Sequence, residues 1–523
     1  MGLSSFAEEL IELIDSNKIN SLKELNNAKM KLCKKHGIKK IPTNPDILSL
    51  LKNPSSKAKK LFSIKETRSI SGVSVCAVMV KPHKCPGQCI YCSPGIGVET
   101  PQSYTGKEPS TMRGLMFNFD PYKQLSNRIL QLDAIGHEAK KIELIVMGGT
   151  FPSMPYSYQK NFVKRCLDAI TERKNISFAE AKKSAEKSER RVIGITFETR
   201  PDWCGKKEIN NFLNFGGTRA ELGVQILNDK VYELNKRGHK VEDVINATQL
   251  LKDSAFKVGY HLIPGLYGAT EKDDLNSFKQ VFFDENFKPD MIKIYPCLVI
   301  KGTKLYDLYR QGKYFPLENE KAVKLISKIK ETVPPWIRVM RIQRDIPANV
   351  IEAGVTKSNL RQLIEKEMHS KGKKCLCIRC RESGIQKRKG KEFDLNEFEL
   401  FVEKYNASKG KEFFISFESK DKKILAGFAR LRFPFNPFRK EISAETALIR
   451  ELHVFGEALD LGKRKDSAAQ HKGIGKKLIS KAEEIAEEHG MKRMAIISGL
   501  GVKEYYRKNF NYKSFGEYVF KKL

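Results

Sequence analysis

Cys85-Pro-Gly-Gln-Cys89-Ile-Tyr-Cys92 follows the β-rich apolar run Val73–Val80 and spaces three cysteines as C-x3-C-x2-C. Five more apolar runs of this kind alternate with helical stretches further along the chain: Ile142–Met147, Val192–Phe197, Leu222–Leu227, Val258–Ile263 and Met291–Tyr295. The connections are long enough for crossover helices, so the pattern predicts six parallel strands that curl into a partial α/β barrel. A complete barrel of this type has eight strands.

The spacing of Cys85, Cys89 and Cys92 resembles that of radical S-adenosylmethionine enzymes. Three thiolates there hold three irons of a 4Fe-4S cluster, and the fourth iron chelates the amine and carboxylate of S-adenosylmethionine. Electron transfer then breaks a carbon–sulfur bond and yields a 5′-deoxyadenosyl radical, while the protein supplies burial and orientation. The position agrees with the spacing, because barrel active sites lie at the carboxyl ends of strands.

Two alternatives remain for this cysteine motif. A zinc site needs a fourth ligand, and His83 is nearby. A disulfide is disfavoured in a cytosolic chain. Beyond the motif, Gly148 and Gly149 end the second apolar run, where exposed backbone groups are expected to hold the methionine amine.

A second cysteine motif, Cys375-Leu-Cys377-Ile-Arg-Cys380, lies in a strongly basic stretch. Three close thiolates favour a structural zinc site that is completed by a fourth ligand from elsewhere in the chain. His369 is the nearest candidate for that ligand. A second iron–sulfur cluster is the competing interpretation.

Gln470-His-Lys-Gly473-Ile474-Gly475-Lys476 precedes an amphipathic helix predicted over residues 474–489. Glycines let a backbone approach a pyrophosphate, and a helix N-terminus presents free N–H groups to it. Strands are predicted at Phe413–Phe417, Ile424–Leu431, Ala447–Val454 and Lys492–Ser498. This order resembles the GCN5-related N-acetyltransferase fold, which binds acetyl-CoA. Arg450-Glu451-Leu452-His453 lies on the strand where that fold hydrogen-bonds the pantetheine arm.

Tyr505 and Tyr506 lie on the next predicted helix, where a tyrosine of that fold contacts the CoA sulfur. Adjacent tyrosines on a helix point in different directions, so one of the pair is expected to be a core residue. The alternative for His453 is an ordinary polar residue without a catalytic role.

The chain has 523 residues, with 95 Lys and Arg against 62 Asp and Glu, and a net charge of +33. The length predicts about three domains, and the charge indicates a polyanionic partner, with nucleic acid ahead of a membrane surface. No signal peptide is recognisable, and no apolar run approaches the ~20 residues that span a bilayer. We therefore expect a cytoplasmic protein in four parts: a basic helical region (1–70), the barrel (71–345), a basic connector (346–395) and the acetyltransferase-like part (396–523).

The combination of these motifs is similar to the Elongator catalytic-subunit family in its stand-alone archaeal or bacterial form, over nearly the whole chain. The stretches that carry this resemblance are Gln102-Ser-Tyr-Thr-Gly106, Val146-Met-Gly-Gly-Thr-Phe151, Glu198-Thr-Arg-Pro-Asp202, Arg219-Ala-Glu-Leu-Gly-Val-Gln225, Lys293-Ile-Tyr-Pro296 and Arg450-Glu-Leu-His-Val454. Eukaryotic members space the first two cluster cysteines farther apart, whereas this chain keeps the usual radical-enzyme spacing.

The resemblance implies a tRNA-modifying enzyme that forms 5-carboxymethyluridine at the wobble position from acetyl-CoA. It implies S-adenosylmethionine, a 4Fe-4S cluster and zinc as cofactors, and the tRNA anticodon arm and a reductant as partners, with a homodimer or further subunits possible. It places Lys141 and Tyr505 at acetyl-CoA, together with residues 450–453 and 473–475, and makes Lys293, Tyr505 and Tyr506 candidate catalytic residues. The mechanism that follows requires both catalytic domains to face one cavity.

Two other functions compete with this hypothesis. One is a protein lysine acetyltransferase in which the barrel is only a scaffold. The other is an RNA-binding module with decayed active sites, although both motif sets are complete here. The basic region 1–70 is either a phosphate-binding arm or an ordinary solvated helical face.

Overall fold

The computed structural model describes residues 2–38, 41–42, 44, 47, 50, 55–62, 72–93, 95–135, 137, 139–455 and 473–523. Their main elements are two seven-stranded sheets and a small helical cluster at the N-terminus. Within these residues, no helix is long and apolar enough to cross a membrane.

The N-terminal cluster consists of helices Gly2–Asp15, Leu22–Lys35 and Ser56–Phe62. Phe6, Leu10 and Ile14 recur on one face of the first helix and form a buried core with the other two helices. Ser21 and Glu24 form a capping box that begins the second helix. The apolar face is therefore used internally, whereas Lys31, Lys34 and Lys35 of the second helix are exposed.

The first sheet is parallel, and its strands follow one another in chain order: β1 (Val73–Met79), β2 (Lys141–Met147), β3 (Arg191–Thr199), β4 (Arg219–Gln225), β5 (Lys257–Leu262), β6 (Met291–Ile294) and β7 (Arg338–Ile342). The six predicted strands are present, and β7 adds a seventh. It was missed because Arg338 and Arg341 interrupt its apolar run.

Helices connect these strands: Pro109–Met116, Pro121–Ala134, Tyr156–Thr171, Phe178–Lys187, Lys206–Asn214, Asp229–Leu234, Val241–Asp253, Glu271–Phe283, Lys304–Arg310 and Asn319–Glu331. Most of them cover the outer face of the sheet, whereas Asp229–Leu234 and Lys304–Arg310 pack beside the loop that carries the three cysteines. Successive strand residues point to opposite faces, so Leu222 and Val258 pack on the helices. Glu221 and His261 point to the inner face. Gly259 of β5 provides space there, since a Cβ would lie 3.1 Å from Glu221 Cγ.

The second sheet is mixed and has seven strands: β8 (Phe398–Ala407), β9 (Gly410–Ser419), β10 (Leu425–Phe433), β11 (Thr446–Val454), β12 (Arg493–Ile496), β13 (Lys513–Phe515) and β14 (Tyr518–Lys522). β8 to β11 are antiparallel, whereas β12 runs parallel to β11. Helix Ile474–Glu488 packs its apolar face on this sheet, and helix Lys503–Phe510 follows β12. The fold is the acetyltransferase-like one expected from the sequence.

The connector folds as three helices, Leu360–Ser370, Ile378–Arg381 and Ser383–Arg388. It is tied to both sheets. Arg381 donates to the carbonyl of Pro335 (2.8 Å) and pairs with Glu418 of β9. Arg338 of β7 pairs with Glu382 at 2.8 Å.

The two sheets meet through a buried ionic network. Arg450 of β11 bonds both oxygens of Asp290, at 2.6 and 2.7 Å, and Glu412 of β9 at 2.8 Å. Arg432 of β10 bonds Asp253 at 2.6 Å. These five side chains are at most 1% exposed. Burial alone would raise the pKa of Asp290, but the Arg450 and Arg430 guanidinium groups hold this pKa well below its usual value.

The network fixes which end of the barrel carries the second sheet. Asp290 immediately precedes β6, and Asp253 precedes β5, so both acids lie at the amino ends of the barrel strands. At the same end, Gly499 and Gly501 pack against the backbone of Arg191 to Ile193 in β3, where a Cβ on either glycine would lie less than 3.0 Å from backbone atoms. Lys503 also pairs with Glu186 of the barrel at 3.3 Å.

We predict that Arg450→Met strongly destabilises the chain, because it leaves Asp290 and Glu412 buried with one fewer partner. The expected loss in the free energy of unfolding is about 3–5 kcal/mol, measured by denaturant titration. The control is Lys328→Met, which breaks a pair with Glu271 in which both side chains are more than half exposed. That variant should change stability by about 1 kcal/mol or less, and equal effects of the two variants would contradict the interpretation.

Candidate active site

A cavity opens at the carboxyl ends of the barrel strands. All the residues that line it belong to the barrel and its loops, and its wall includes all three cysteines of the first motif. Its main polar lining residues are Gln102, Ser103, Thr150, Glu198, Arg200, Glu221, Gln225, Arg237, His261, Lys293, Arg341 and Arg344. The cysteine motif therefore lies where barrel enzymes place their chemistry.

Each cysteine of the motif contacts a different polar partner. Cys85 Sγ lies 3.4 Å from Thr150 Oγ1, and Cys92 Sγ lies 2.9 Å from Ser103 Oγ. Arg237 Nη1 donates to Cys89 Sγ at 3.2 Å. The hydrogen bond from Cys92, together with the Arg237 cation, holds the pKa of Cys89 well below its usual value. A thiolate, which is the form that binds metal, is thus favoured at this position.

The surroundings of the motif fit a large inorganic group with three protein ligands. The sulfurs of Cys85, Cys89 and Cys92 do not all lie within 4.8 Å of one another, as the ligands of one small ion would. Buried polar atoms without a hydrogen-bond partner among the described residues include Arg200 Nη1, Arg237 Nε and Gln225 Oε1. His83, the fourth ligand of the zinc alternative, instead has its Nε2 atom 3.3 Å from the carbonyl of Thr150.

Charged side chains from four neighbouring strands form the inner wall beneath the cysteines. Lys293 Nζ lies 3.2 Å from Glu198 Oε1 and contacts Glu221, and His261 Nε2 lies 2.8 Å from Glu221. Burial alone would raise the pKa of Glu221, but the Lys293 ammonium and the hydrogen bond with His261 hold this pKa well below its usual value. Glu198, Glu221 and His261 have the spacing of metal ligands, but the Lys293 ammonium contacts both carboxylates and takes the place of a cation.

Of this wall, only Lys293 was a predicted site residue. Glu198 and Glu221 stood in motifs without an assigned role, and His261 was missed. The strand alternation does carry a signal for these residues. A charged side chain at an inward position of an otherwise apolar parallel strand is costly to bury unless it has a partner or a functional role.

Gly148 and Gly149 end β2 beside the cavity with φ of 124° and 60°. A Cβ on Gly148 would lie 2.6 Å from Val80, and one on Gly149 would lie 3.4 Å from His83. The turn therefore requires glycine, and Gly149 lines the cavity. This is the position that the sequence analysis expects for binding the methionine amine.

The acetyltransferase-like sheet carries the second candidate site. Gly473 has φ of 72° and begins helix Ile474–Glu488, and a Cβ on Gly475 would lie 3.0 Å from Tyr505 Oη. Tyr505 is 39% exposed, whereas Tyr506 is buried in the core. Ile474 is also a core residue and Lys476 is exposed. Gln470 lies outside the described residues.

The side chains of residues 450–453 have partners within the protein, so a ligand role for this stretch is left to its backbone and stays a prediction. The side chains of Arg450 and Glu451 are directed into the domain interface, where Glu451 accepts from Arg430 at 2.9 Å. Leu452 packs at the edge of the transferase core, and the His453 ring stacks on Phe428. Burial lowers the pKa of His453, and the ring is packed between Phe428 and Phe455.

Lys141 is the first residue of β2, at the opposite end of that strand from Gly148. Its neighbour in register is Arg191, which packs against Gly501 of the transferase part. Burial, reinforced by the Arg191 charge, lowers the pKa of Lys141. Lys141 thus lies on the transferase side of the barrel, and its role at acetyl-CoA stays a prediction.

Among the described residues, the two candidate sites lie at opposite ends of the barrel, and the single cavity that the mechanism requires stays a prediction. The cysteines lie at the carboxyl ends of the barrel strands, and the second sheet is fixed to the amino ends by Asp290 and Asp253. Neither docking contact could be recognised in the sequence, because single charged residues in loops and strands carry no periodic signal.

In the connector, the sulfurs of Cys375, Cys377 and Cys380 all lie within 4.8 Å of one another. Hydrogen bonds from Cys375 and Cys380 hold the pKa of Cys377 well below its usual value. The spacing fits three thiolates about one tetrahedral ion with metal–sulfur bonds of about 2.3 Å. His369 is exposed on the preceding helix and is not brought into this group.

Comparisons with protein families agree with this architecture. Residues 79–281 match the Radical SAM superfamily, and residues 289–370 match the Radical SAM C-terminal domain. Residues 383–512 match the Acetyltransferase (GNAT) family.

Relatives with both parts in one chain decide the assignment. A tRNA uridine(34) acetyltransferase of Methanocaldococcus jannaschii is 51% identical over 490 residues, which are 92% of this chain and 90% of that protein. Elongator complex protein 3 of Homo sapiens is 39% identical over 98% of this chain and 95% of its own. The chain belongs to the Elongator complex protein 3 family. A solved member of the Elongator complex protein 3 family, the Methanocaldococcus infernus Elp3 with its N-terminus (1–46) deleted, has a TM-score of 0.77 at 48% identity and covers 87% of this chain and 100% of its own.

We predict that the connector binds about one zinc ion per chain through its three cysteines. Cys377→Ser should abolish the zinc found by elemental analysis, whereas Cys33→Ser, in the N-terminal helices, should leave it unchanged. Iron in excess of one cluster per chain, or zinc retained in Cys377→Ser, would contradict the prediction.

Proposed function

We propose that this protein modifies carbon 5 of the tRNA wobble uridine to 5-carboxymethyluridine, with acetyl-CoA as the source of the two carbons. The observation that carries the proposal is the rigid joining, in one chain, of a three-cysteine cavity on a barrel and an acetyltransferase-like sheet. A relative that is 51% identical and is named a tRNA uridine(34) acetyltransferase supports the choice of substrate.

The chemistry explains why both parts are needed. Carbon 5 of uridine is not nucleophilic enough to take an acetyl group as an amine does. Bound at Cys85, Cys89 and Cys92, a 4Fe-4S cluster with S-adenosylmethionine supplies the radical chemistry that can form a carbon–carbon bond. Hydrolysis of the thioester then leaves the carboxymethyl product.

The residues of this chain hold and orient the reactants. Arg237 supports Cys89 by its hydrogen bond, and Gly149 offers backbone to the methionine end of S-adenosylmethionine. Lys293, paired with Glu198 and Glu221, presents a fixed positive charge in the cavity. Burial alone would lower the pKa of Lys293, but the two carboxylates raise it above its usual value. Gly473, Gly475 and Tyr505 hold acetyl-CoA, while Tyr506 supports Tyr505 from the core and touches no reactant.

The tRNA is held by charge and presents an accessible base. The net charge of +33 and the lysine-rich N-terminal helices favour contacts to the phosphates of the anticodon arm. The wobble base must leave its stack to reach the cavity, at a cost of a few kcal/mol that is smallest in a single-stranded loop. We place this reaction in the cytoplasm, with a reductant and, by analogy with Elongator, further subunits as partners.

We predict that Cys89→Ser abolishes formation of the modified nucleoside, because one cluster ligand is lost. Mass spectrometry of nucleosides, after incubation of tRNA with S-adenosylmethionine, acetyl-CoA and reductant, measures this. Affinity for tRNA should change by less than about twofold, since the cysteine is not a phosphate contact. Cys33→Ser is the matched control and should behave as wild type. Product formed normally by Cys89→Ser would sink the proposal, and acetylated protein lysine without S-adenosylmethionine would favour a protein acetyltransferase instead.

Deletion of residues 2–62 should weaken tRNA binding and flatten its dependence on salt, because phosphate contacts of the N-terminal lysines are lost. The remaining chain should fold, since the solved M. infernus relative lacks its first 46 residues. Affinity for acetyl-CoA should be unchanged, as a check of integrity. If the slope of log affinity against log salt concentration is unaltered, these lysines belong to an ordinary solvated surface.

A further inference from the structure

Arg237 is a buried cation without a carboxylate partner. Seven arginines are buried among the residues that the structure describes, and six of them pair with an acidic side chain: Arg200, Arg219, Arg381, Arg430, Arg432 and Arg450. Arg237, which is 6% exposed, forms no such pair within the described part of the chain. Its guanidinium donates instead to the carbonyl of Gly223 and to Cys89 Sγ. Because an isolated buried charge is costly, the negative charge that balances Arg237 lies at the cysteine motif.

The loop that carries Arg237 is fixed to the cysteine motif through its backbone. Helix Asp229–Leu234 ends just before this loop, and the carbonyl of Asn235 accepts the N–H of Ile90 at 3.2 Å. The Asn235 side chain donates to two further carbonyls, at 2.8 Å each. The guanidinium is therefore held in place beside Cys89 by the fold, rather than carried on an exposed arm.

The neighbouring Arg200 has a different role, because its charge is already balanced. Arg200 donates to both carboxylate oxygens of Asp202, at 3.0 and 2.8 Å. It also donates to the carbonyl of Arg237 at 2.7 Å, which fixes the Arg237 loop further. Arg237 is thus the buried guanidinium whose charge remains directed at the sulfurs.

The partners of the three sulfurs differ in charge. Cys85 and Cys92 have neutral hydroxyl partners, whereas Arg237 brings a full positive charge to Cys89. Net charge, burial and hydrogen bonds to the sulfurs set the reduction potential of an iron–sulfur cluster. An oxidised 4Fe-4S cluster with three thiolates carries one net negative charge, and adding an electron doubles that charge. A buried cation beside the cluster therefore stabilises the reduced form more than the oxidised form.

We propose that Arg237 is a positioning residue that raises the reduction potential of the cluster held by Cys85, Cys89 and Cys92. In the step concerned, one electron passes from the external reductant to the cluster, the reductant is oxidised, and no covalent bond forms or breaks. The charge of Arg237 thus determines how strong that reductant must be. The inference rests on the proposed function for the identity of the group that the cysteines hold.

Arg237→Gln tests the inference, because glutamine keeps an N–H donor but removes the charge. The measurement is a redox titration of the cluster-loaded protein without S-adenosylmethionine, followed by electron paramagnetic resonance. At the wild-type midpoint potential, the ratio of reduced to oxidised cluster should fall at least about tenfold, which corresponds to about 59 mV for one electron. Arg237→Lys keeps the charge and should stay within about threefold of wild type. Ser103→Ala removes a neutral partner of Cys92 and should also change the ratio by less than about threefold.

The comparison of the two Arg237 variants separates charge from structure. An unchanged ratio in Arg237→Gln, or equal falls in Arg237→Gln and Arg237→Lys, would overturn the inference. Loss of iron from Arg237→Gln but not from Arg237→Lys would support it, because the variant that keeps the charge then keeps the anionic cluster. Loss of iron from both variants would overturn it, since the guanidinium would then be needed only for local structure.

The titration requires neither tRNA nor acetyl-CoA, so its result is independent of the proposed reaction. A protein that shows the expected fall in Arg237→Gln but makes no modified uridine would retain the role of Arg237 and refute the proposed function. Normal uridine modification with an unchanged ratio in Arg237→Gln would overturn the inference and leave the proposed function standing.

Discussion

The buried bonds of Arg450 to Asp290 and Glu412 determine how the two halves of this protein are arranged. Burying such charges costs more than their attraction returns unless their hydrogen-bonding capacity is satisfied, so the pairs specify one docking geometry more than they add stability. Arg432 of β10 repeats the arrangement with Asp253, and Arg430 of the same strand donates to the backbone carbonyls of Asp290 and Trp336 in the barrel. The transferase sheet is thereby held at the amino ends of the barrel strands.

This arrangement has a chemical consequence. The cysteine motif must lie at the carboxyl ends, where the loops after the parallel strands form a cavity. The two sites are therefore separated by the barrel itself. The charged wall of Glu198, Glu221, His261 and Lys293 is a feature of the inner face as a whole, and it continues below the cavity through Arg219 and Glu143.

Sequence reasoning succeeded where a signal is local. The cysteine spacings, the glycine motif and the runs of apolar residues predicted the two folds and most of the strands, and the pairing of Tyr505 with Tyr506 predicted one core residue. It failed where the signal depends on packing: Arg338 of β7 pairs with Glu382 of the connector, and Arg341 lines the cavity, so neither fits an apolar strand pattern. His369 was the nearest histidine in the sequence, but it is exposed and apart from the three cysteines. The docking end was unpredictable for the same reason, since Asp290 directly precedes a strand and Asp253 ends a helix, and single acids at such positions are ordinary until their partners are known.

The central claim is that the two separated sites serve one reaction on one uridine. Acetyl-CoA labelled with carbon-13 in both acetyl carbons, supplied with tRNA, S-adenosylmethionine and reductant, tests it most directly. The account predicts that both labelled carbons appear together in the wobble nucleoside, and only when S-adenosylmethionine and reductant are present. Label in the nucleoside without S-adenosylmethionine, or label found only on protein lysines or as free acetate, would contradict it.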